Sequence, residues 1–542
     1  MEEYLLNLFE QLKEKLEYLS GAENKITIPK QNSHGDYSWN VAMILAKKLK
    51  KNPRELAQEI IDNIDVDNEV IQKVEIAGPG FINFFFNPDY VVNVIKNIIE
   101  QKEGFGKSDK NKGKRAVVEF VSANPTGPLT VGHGRNAVVG DTVANLLEWI
   151  GYDVDREYYF NNAGRQMRVL GDSVKKRYLQ LLGEDIEFPE DYYQGEYIRD
   201  ISQKIVNEFG DRFKENNELD FFKERAEKEI FDDIEKTLNN INIKFNKYYN
   251  ENSLYEDGKI DALLKELKEK KLSYEKDGAT WLRLTELGIE QDKVIVKSTG
   301  EPTYRLPDVA YHETKYQRGY DLIVDIFGAD HIATYPDVVA ALKALGYDEE
   351  KLHVVIYQFV TILQGGEKVK MSTRKANFIT LDELIDEVGA DVVRYFFIMK
   401  STTSHLNFDL EVAKKHSDEN PVFYLQYAHA RIASLLKTTG AEGLKCSTEN
   451  LNLLNTDAEQ FLLKKLHEFE KEVIYSAENY EPHRIANYLT ELAALFHKFY
   501  TECRILGTEK NLAEARIALI IAVKTVLKNG LSILGVSAPE RM

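Results

Sequence analysis

The sequence predicts an α/β body built on a doubly wound parallel sheet, with an α+β module before it and an all-α bundle after it. Three observations carry this reading. From Ala116 onward, apolar strand-like runs alternate with amphipathic helical stretches. The residues before that mix helical periodicity with two short strands, and from about residue 409 the apolar spacing stays near the helical period almost throughout. The 542 residues leave room for three or four domains at roughly 150 residues each.

In the leading module, Leu5, Leu6, Phe9 and Leu12, then Leu16 and Leu19, recur at helical spacing, and Val41, Ala42, Leu45, Ala46 and Leu49 repeat the pattern. VEIAGPGFINFFF (74–86) reads as two strands parted at Gly78-Pro79-Gly80. The lysine- and glycine-rich stretch 102–115 has no periodicity and reads as a linker or mobile loop, which closes the first module at about 1–105. AVVEFVSA (116–123) then reads as a buried strand and NPTGPLTVGHG as a loop. Val139, Val143, Leu146, Leu147 and Ile150 form one helix face. Strand candidates at 153–160, 321–328 and 353–363, with a helix near 338–345, fill the body over 106–408. The charged, helix-rich stretch of about 165–300 is expected to be an insertion. Four long amphipathic stretches predict the bundle over 409–542.

Composition narrows the class. With 43% hydrophobic and 29% charged residues the chain is globular rather than disordered. Its two cysteines are too few for a structural zinc site or a disulfide framework, so no protein-bound metal and a reducing, cytoplasmic home are expected. The acidic start lacks a signal-peptide pattern, and no apolar run is long enough to span a membrane. Acids outnumber bases 88 to 70, a net charge of −18, which argues against a general nucleic-acid binder but leaves room for a local basic groove.

Two loops carry chemistry. NPTGPLTVGHGRN (124–136) leaves a strand and enters a helix, where N-terminal amides face a bound phosphate; Gly127, Gly132 and Gly134 allow close approach and His133 offers a donor. On its own such a histidine more often caps a helix. LQGGEKVKMSTRKAN (363–377) crowds Lys368, Lys370, Arg374 and Lys375 beside Ser372 and Thr373, a pattern suited to clamping a triphosphate, though a solvated surface loop is the commoner case.

Together the two loops resemble the paired signatures of class I aminoacyl-tRNA synthetases, GHGR matching the end of the HIGH-type motif and KMSTR the KMSKS-type motif. VEFVSANPTGPLTVGHGRNAVVGD (118–141), YYFNNAGRQ (158–166), TYRLPDVAYH (303–312), FGADH (327–331) and the terminal APERM resemble arginyl-tRNA synthetases. HGDYSWNVAM (34–43) and GPGFINF (78–84) are similar to that family's additional N-terminal domain, and LQYAHAR (425–431) to the opening of its helical anticodon-binding domain. The resemblance implies a Rossmann-like catalytic domain and a two-step reaction. Arginine attacks ATP, with Mg²⁺ assisting, to give arginyl-adenylate and diphosphate, and tRNA(Arg) then takes the arginine at its 3′ end. It also implies a monomer whose arginine activation waits for tRNA.

The residue roles follow the same pattern. Glu119, Tyr304 and Asp308 are expected to hold the arginine side chain, Asn124 its backbone end, and Gln358 to assist. The chemistry agrees, because a planar guanidinium with five donors is matched by carboxylates and stacks on a tyrosine. Asp308 has an alternative reading as a helix N-cap. His133, Lys370 and Lys375, with Thr130, are expected at the phosphates, and Gly132, Gly134, Asp330, His331, Met371 and Ser372 around ATP. Tyr424, Tyr427, Arg431, Tyr500 and Met542 are expected to touch tRNA. Thr130 stands where the HIGH-type motif has its first histidine, Thr373 where the KMSKS-type motif has its second lysine, and Asn162 where relatives carry an aspartate. A tRNA-binding relative without catalysis, or a glutamine-specific enzyme of the same class, are the competing readings.

Overall fold

Near the N-terminus, β1 (Ile26–Thr27), β2 (Tyr37–Trp39), β3 (Ile71–Ala77) and β4 (Phe81–Phe86) form an antiparallel sheet in the order β1-β2-β4-β3. β3 and β4 are the expected hairpin. Gly78 and Gly80 turn it at φ 52° and 139°, where a side chain would be strained. Trp39 packs edge-on against Phe84 and Phe9, with ring centroids 4.6 and 5.3 Å away, and forms the core of this module. The structure, a computed structural model, describes every residue except 23, 24, 28, 30–33, 216, 217 and 370–378.

The stretch 102–115, read from the sequence as a linker or mobile loop, is held at several points and ends in the first residue of the central sheet. Asn529 donates to the carbonyls of Lys102 and Phe105 at 2.9 and 3.0 Å, and the Ser108 amide donates to Trp149. Nearby, Tyr90 stacks on His467 and Lys464 pairs with Asp36 at 2.8 Å, so the leading module is fixed to the C-terminal bundle.

The central sheet uses β5 (Arg115–Glu119), β6 (Asp153–Phe160) and β7 (Lys247–Asn250). After a three-stranded antiparallel unit of β8 (Ser273–Lys276), β9 (Ala279–Leu282) and β10 (Lys293–Val296), it is completed by β11 (Leu322–Gly328) and β12 (Leu352–Tyr357). All its pairings are parallel, in the order β12-β11-β5-β6-β7. Counted along the chain this is the 3-2-1-4-5 arrangement, whose connections reverse direction between β5 and β11 and leave a ligand crevice at the strands' C-terminal ends. Alternation of side chains sets the layers. Ala116 and Val118 join the core under helix Val131–Trp149, while Val117 joins the core under helix Arg305–Gln317.

Two features depart from the expected layout. β7 lies inside the stretch read as an insertion, because KYYN is too short and too polar to show a strand pattern. The run 353–363 is two strands: β12 ends at Tyr357, and β13 (Val360–Gln364) belongs to a separate sheet with β14 (Glu367–Lys368) and β15 (Leu406–Asp409). Past these, helices Pro421–Ala441, Asp457–His467, Phe469–Glu478, Pro482–Glu502 and Lys510–Ile533 make the bundle. Arg394, wholly buried, ties the parts together through the Leu534 carbonyl (2.9 Å), the Ile241 carbonyl (2.8 Å) and Asp141 (2.6 Å).

Candidate active site

Parallel register puts Asp325 of β11, Glu119 of β5 and Glu157 of β6 side by side on one face of the sheet. Three adjacent carboxylates repel each other unless cations cover them. Helix Arg305–Gln317 supplies the cover from Lys315 and, one turn before it, the neighbouring Tyr311 and His312, with Arg318 just beyond its end. The buried Lys315 ammonium lies 2.5 Å from Glu119 Oε2 and 2.6 Å from Asp325 Oδ1. His312 Nε2 lies 2.8 Å from Asp325 Oδ2 and Nδ1 2.7 Å from the Asp308 carbonyl. Arg318 and Tyr311 both bond Glu157. Despite its burial, Asp325 is held well below the usual carboxylate range by Lys315 and His312.

Among the described residues, Glu119, His312 and Asp325 are the one group with metal-ligand spacing. Lys315 bonds both of its carboxylates, so the charge an ion would supply is already there.

One turn nearer the crevice stands Asp308. Helix Arg305–Gln317 starts after Tyr304, so Asp308 is not its N-cap; it sits inside the first turns. No hydrogen bond or ion pair reaches its carboxylate among the described residues. Burial, with repulsion from Glu119 and Glu251, raises its pKa to about 7, against the pull of His312 and Lys315. Tyr304, one turn earlier, is 83% exposed. Asn124 is partly engaged, accepting from the Asn161 amide and donating to Gln166, both at 3.0 Å. Asn162 bridges Glu227 and Asn250, which accounts for its polar partners.

β5 stops abruptly at Glu119, since Val121 and Ser122 adopt φ 65° and 45°. For a β-branched residue this backbone is strained, and such strain collects at functional loops. The turn brings Ser122 Oγ back to Glu119 Oε1 at 2.9 Å, and Asn136 fixes it by accepting from the Val121 amide at 2.6 Å.

The loop that follows enters helix Val131–Trp149 at Thr130, its N-cap. His133 closes a capping box, accepting the Thr130 N–H at Nδ1 over 3.2 Å. The histidine therefore does cap the helix. With Nδ1 as acceptor, the neutral ring carries its proton on Nε2, which remains a donor. Burial lowers the pKa of His133, so the neutral form prevails.

The glycines divide. At Gly132 an added Cβ meets nothing closer than Thr130 Oγ1 at 3.6 Å, whereas at Gly134 it meets Leu381 at 2.6 Å and Phe397 at 2.9 Å. Gly134 thus serves helix packing rather than the close nucleotide approach expected of it. Asp330 and His331 occupy a short turn just after β11, across the crevice from the Gly132 loop, and His331 stacks on Phe327.

Gln358 follows β12, two strands from β5. Its carbonyl accepts from the buried Arg135, which also bonds the carbonyls of Ser401 and Ser404. Lys370, Met371, Ser372 and Lys375 lie outside the described residues.

In the bundle, Tyr427, Arg431 and Tyr500 form one exposed patch, the guanidinium 4.1 Å from the Tyr500 ring centroid and 5.4 Å from that of Tyr427. Tyr424 is half-buried against His497. Met542 is 57% exposed and borders a cleft of about 410 Å³ with Phe423, Gln426, Lys414, Lys415 and His416. His429 instead turns inward to hold the terminal tail through the Pro539 carbonyl at 2.8 Å.

Sequence reasoning missed Lys315, Asp325, Glu157 and Glu251. The one signal it passed over was the spacing of Asp308, Tyr311, His312 and Lys315, which puts four side chains with polar groups on one face of a helix.

Comparison with known proteins agrees. Residues 94–404 match the family model "tRNA synthetases class I (R), catalytic domain", residues 6–86 "Arginyl tRNA synthetase N terminal domain" and residues 425–542 "DALR anticodon binding domain". The arginine–tRNA ligase of Salinibacter ruber is 50% identical over 96% of both chains. That of Desulfotalea psychrophila is 49% identical over 95% of this chain and 94% of its own. A solved structure from Campylobacter jejuni, assigned to arginyl-tRNA synthetase, superposes with a TM-score of 0.78 at 34% identity, covering 84% of this chain and all of that one. The Thermus thermophilus arginyl-tRNA synthetase shares the fold, with a TM-score of 0.76 at 21% identity over 99% of this chain and 100% of its own. With the class I crevice, the acid pocket and these matches in hand, the chain belongs to the arginyl-tRNA synthetase family.

Proposed function

We infer that the protein is an arginine–tRNA ligase, which activates L-arginine with ATP to arginyl-adenylate and transfers it to the 3′ end of tRNA(Arg), releasing AMP and diphosphate. The observation that carries this most directly is Asp308, a carboxylate without a bonded partner among the described residues, one helical turn from the exposed Tyr304 ring. A guanidinium answers both, bonding the carboxylate through its N–H fork and stacking on the ring.

In our reading Asp308 and Tyr304 hold the side chain and Asn124 the backbone end of arginine. Glu119 lines the pocket floor through its Ser122-bonded oxygen, and Gln358 borders the site from the far flank. ATP lies over Gly132 and beside Asp330 and His331, with its phosphates toward the helix N-terminus and His133 Nε2–H, oriented by Thr130. Lys370, Met371, Ser372 and Lys375 complete the phosphate contacts. Mg²⁺ arrives with ATP and adds charge neutralisation there. The arginine carboxylate attacks the α-phosphorus, and the terminal ribose hydroxyl of the tRNA then attacks the adenylate carbonyl. No covalent enzyme intermediate forms, so positioning and electrostatics supply the rate.

Tyr424, Tyr427, Arg431, Tyr500 and Met542 read the anticodon by stacking and edge contacts, as single-stranded bases are commonly read. Two free thiols, Cys446 and Cys503, suit a reducing cytoplasm, and we take the working unit to be a monomer. Among the described residues no helix is long and apolar enough to cross a membrane.

The test is a charging assay with arginine against citrulline, its neutral ureido analogue, in the presence of ATP and tRNA. Charging by arginine alone is the expected result. Equal use of citrulline removes the guanidinium reading of Asp308.

A further inference from the structure

We propose that His312 is a positioning residue for arginine binding: a buried imidazolium, kept charged by an acceptor on each ring nitrogen, that braces the helical turn carrying Asp308 and favours the ionised form of its carboxylate. The role rests on the reading of Asp308 given above.

Its two ring contacts set the protonation state. His312 Nε2 lies 2.8 Å from Asp325 Oδ2, and Nδ1 lies 2.7 Å from the Asp308 carbonyl oxygen. A carbonyl oxygen can only accept. Asp325 can only accept while it is ionised, and Lys315, 2.6 Å from its other oxygen, holds it so despite burial. Either neutral tautomer would leave a ring lone pair facing an oxygen lone pair at hydrogen-bond distance. The doubly protonated ring alone donates to both. Burial and the Lys315 charge oppose this cation, but Asp325, by charge and hydrogen bond, and the charge of Glu119 outweigh them, so the His312 pKa stays above its ordinary value.

Placement links the charge to Asp308. His312 follows Asp308 by one turn of helix Arg305–Gln317, and its Nδ1–H bonds the backbone of the residue whose side chain meets the guanidinium. Burial is the main influence on the Asp308 carboxyl and raises its pKa to about 7. Among the surrounding charges His312 comes first and lowers it, ahead of Glu119 of β5 and Glu251 after β7, which raise it, and Lys315, which lowers it. The neighbouring Tyr311 bonds Glu157 through its hydroxyl and adds no charge. Without the imidazolium, Asp308 would face Glu119 and Glu251 with Lys315 alone to offset them, and would keep its proton to higher pH. A protonated Asp308 offers a guanidinium no charge and fewer acceptor sites.

The test uses the full-length enzyme, with the arginine KM measured over about pH 6–9 for wild type, His312→Gln, Asp308→Asn and the double variant. Glutamine keeps a donor amide and removes the charge. H312Q should move the midpoint of the KM profile from about 7 to about 8, so that the arginine KM rises about fivefold at neutral pH and returns to the wild-type value at the alkaline end. The KM values for ATP and tRNA should stay within about twofold, and H312Q should add nothing in the D308N background. A loss of arginine affinity that is equal at every pH, or shared by ATP, means a structural role and overturns the proposal. An unmoved midpoint in H312Q, with D308N flattening the profile, overturns it and leaves the Asp308 reading standing. A D308N profile identical to that of wild type removes the Asp308 reading, and the proposal falls with it. Should H312Q not fold, nitrogen NMR of the histidine-labelled wild-type enzyme decides. One imidazole must carry protons on both nitrogens at about pH 8, where an ordinary histidine is neutral, and the absence of such a ring overturns the proposal.

Discussion

The backbones of Thr130 and Thr380 form an isolated antiparallel bridge, and the Leu381 amide donates to the Leu129 carbonyl at 2.8 Å. Both threonines are N-caps in capping boxes, Thr130 with His133 and Thr380 with Glu383. Two helix N-termini are therefore pinned together where the glycine-histidine loop meets the chain that follows the KMSTR run. Removing the Thr380 hydroxyl in T380A should cost about 1 kcal/mol of stability. It should lower kcat for charging while leaving the arginine KM unchanged. A change confined to the arginine KM would count against this link between the two loops.

His133 is held neutral, with its proton on Nε2, by burial and by the Thr130 amide at Nδ1. Its expected contribution is a fixed donor to the reacting phosphate. H133A should lower kcat about 100-fold, the usual loss for one preorganised transition-state donor. Single-turnover adenylate formation is the measurement, and a loss that appears only in tRNA binding would refute the role.

Asp308 has a folded-state pKa of about 7 against an ordinary 3.8. Between these values the folded protein keeps a proton that the unfolded chain releases, so this group's contribution to stability falls as pH rises through the window. Arginine binding takes the opposite course, because the guanidinium needs the ionised form. The arginine KM should fall as pH rises through about 7, and D308N should flatten that profile. The same variant should melt at a higher temperature than wild type at pH values above the window, and at the same temperature below it. A wild-type arginine KM that is flat across neutral pH would contradict this assignment.

Arg394 donates to two buried carbonyls and to Asp141, linking the central body to the terminal helix. Gly535 packs on its guanidinium so closely that a Cβ there would lie 2.2 Å away. R394M should cost about 3 kcal/mol, the usual penalty for breaking a buried charge pair. Chemical denaturation reads this out, and substrate KM values should hold in the folded fraction.

Tyr427, Arg431 and Tyr500 lie together on the C-terminal bundle, where we expect them to stack on bases of the tRNA. Stacking of one base is worth about 1–3 kcal/mol, so Y427A should raise the tRNA KM by about tenfold and leave ATP kinetics intact. Unchanged tRNA kinetics in folded Y427A would remove the residue from recognition.

Much of this was legible in the sequence because it is local. The alternation in 116–119 and the helix face from Val139 to Ile150 follow from backbone periodicity, and the parallel character of the sheet, though not its strand order, follows from strands alternating with helices. The motif loops were legible because they occur together and in order; either alone has a commoner use, as a helix cap or a solvated surface loop. What stayed hidden was non-local. Lys315 reaches Glu119 from 196 positions away, and only register brings Asp325, Glu119 and Glu157 into one row. β7 escaped notice because a four-residue strand has no period to read. Gly134 was assigned to the nucleotide because its partner, Leu381, is distant in sequence.

Most direct of all is aminoacylation of total tRNA by the purified chain, with each amino acid in turn, with and without ATP. Charging by arginine alone, and only with ATP, is the predicted result. No charging by a folded protein that still binds tRNA, or charging by glutamine or any other amino acid in place of arginine, would contradict it.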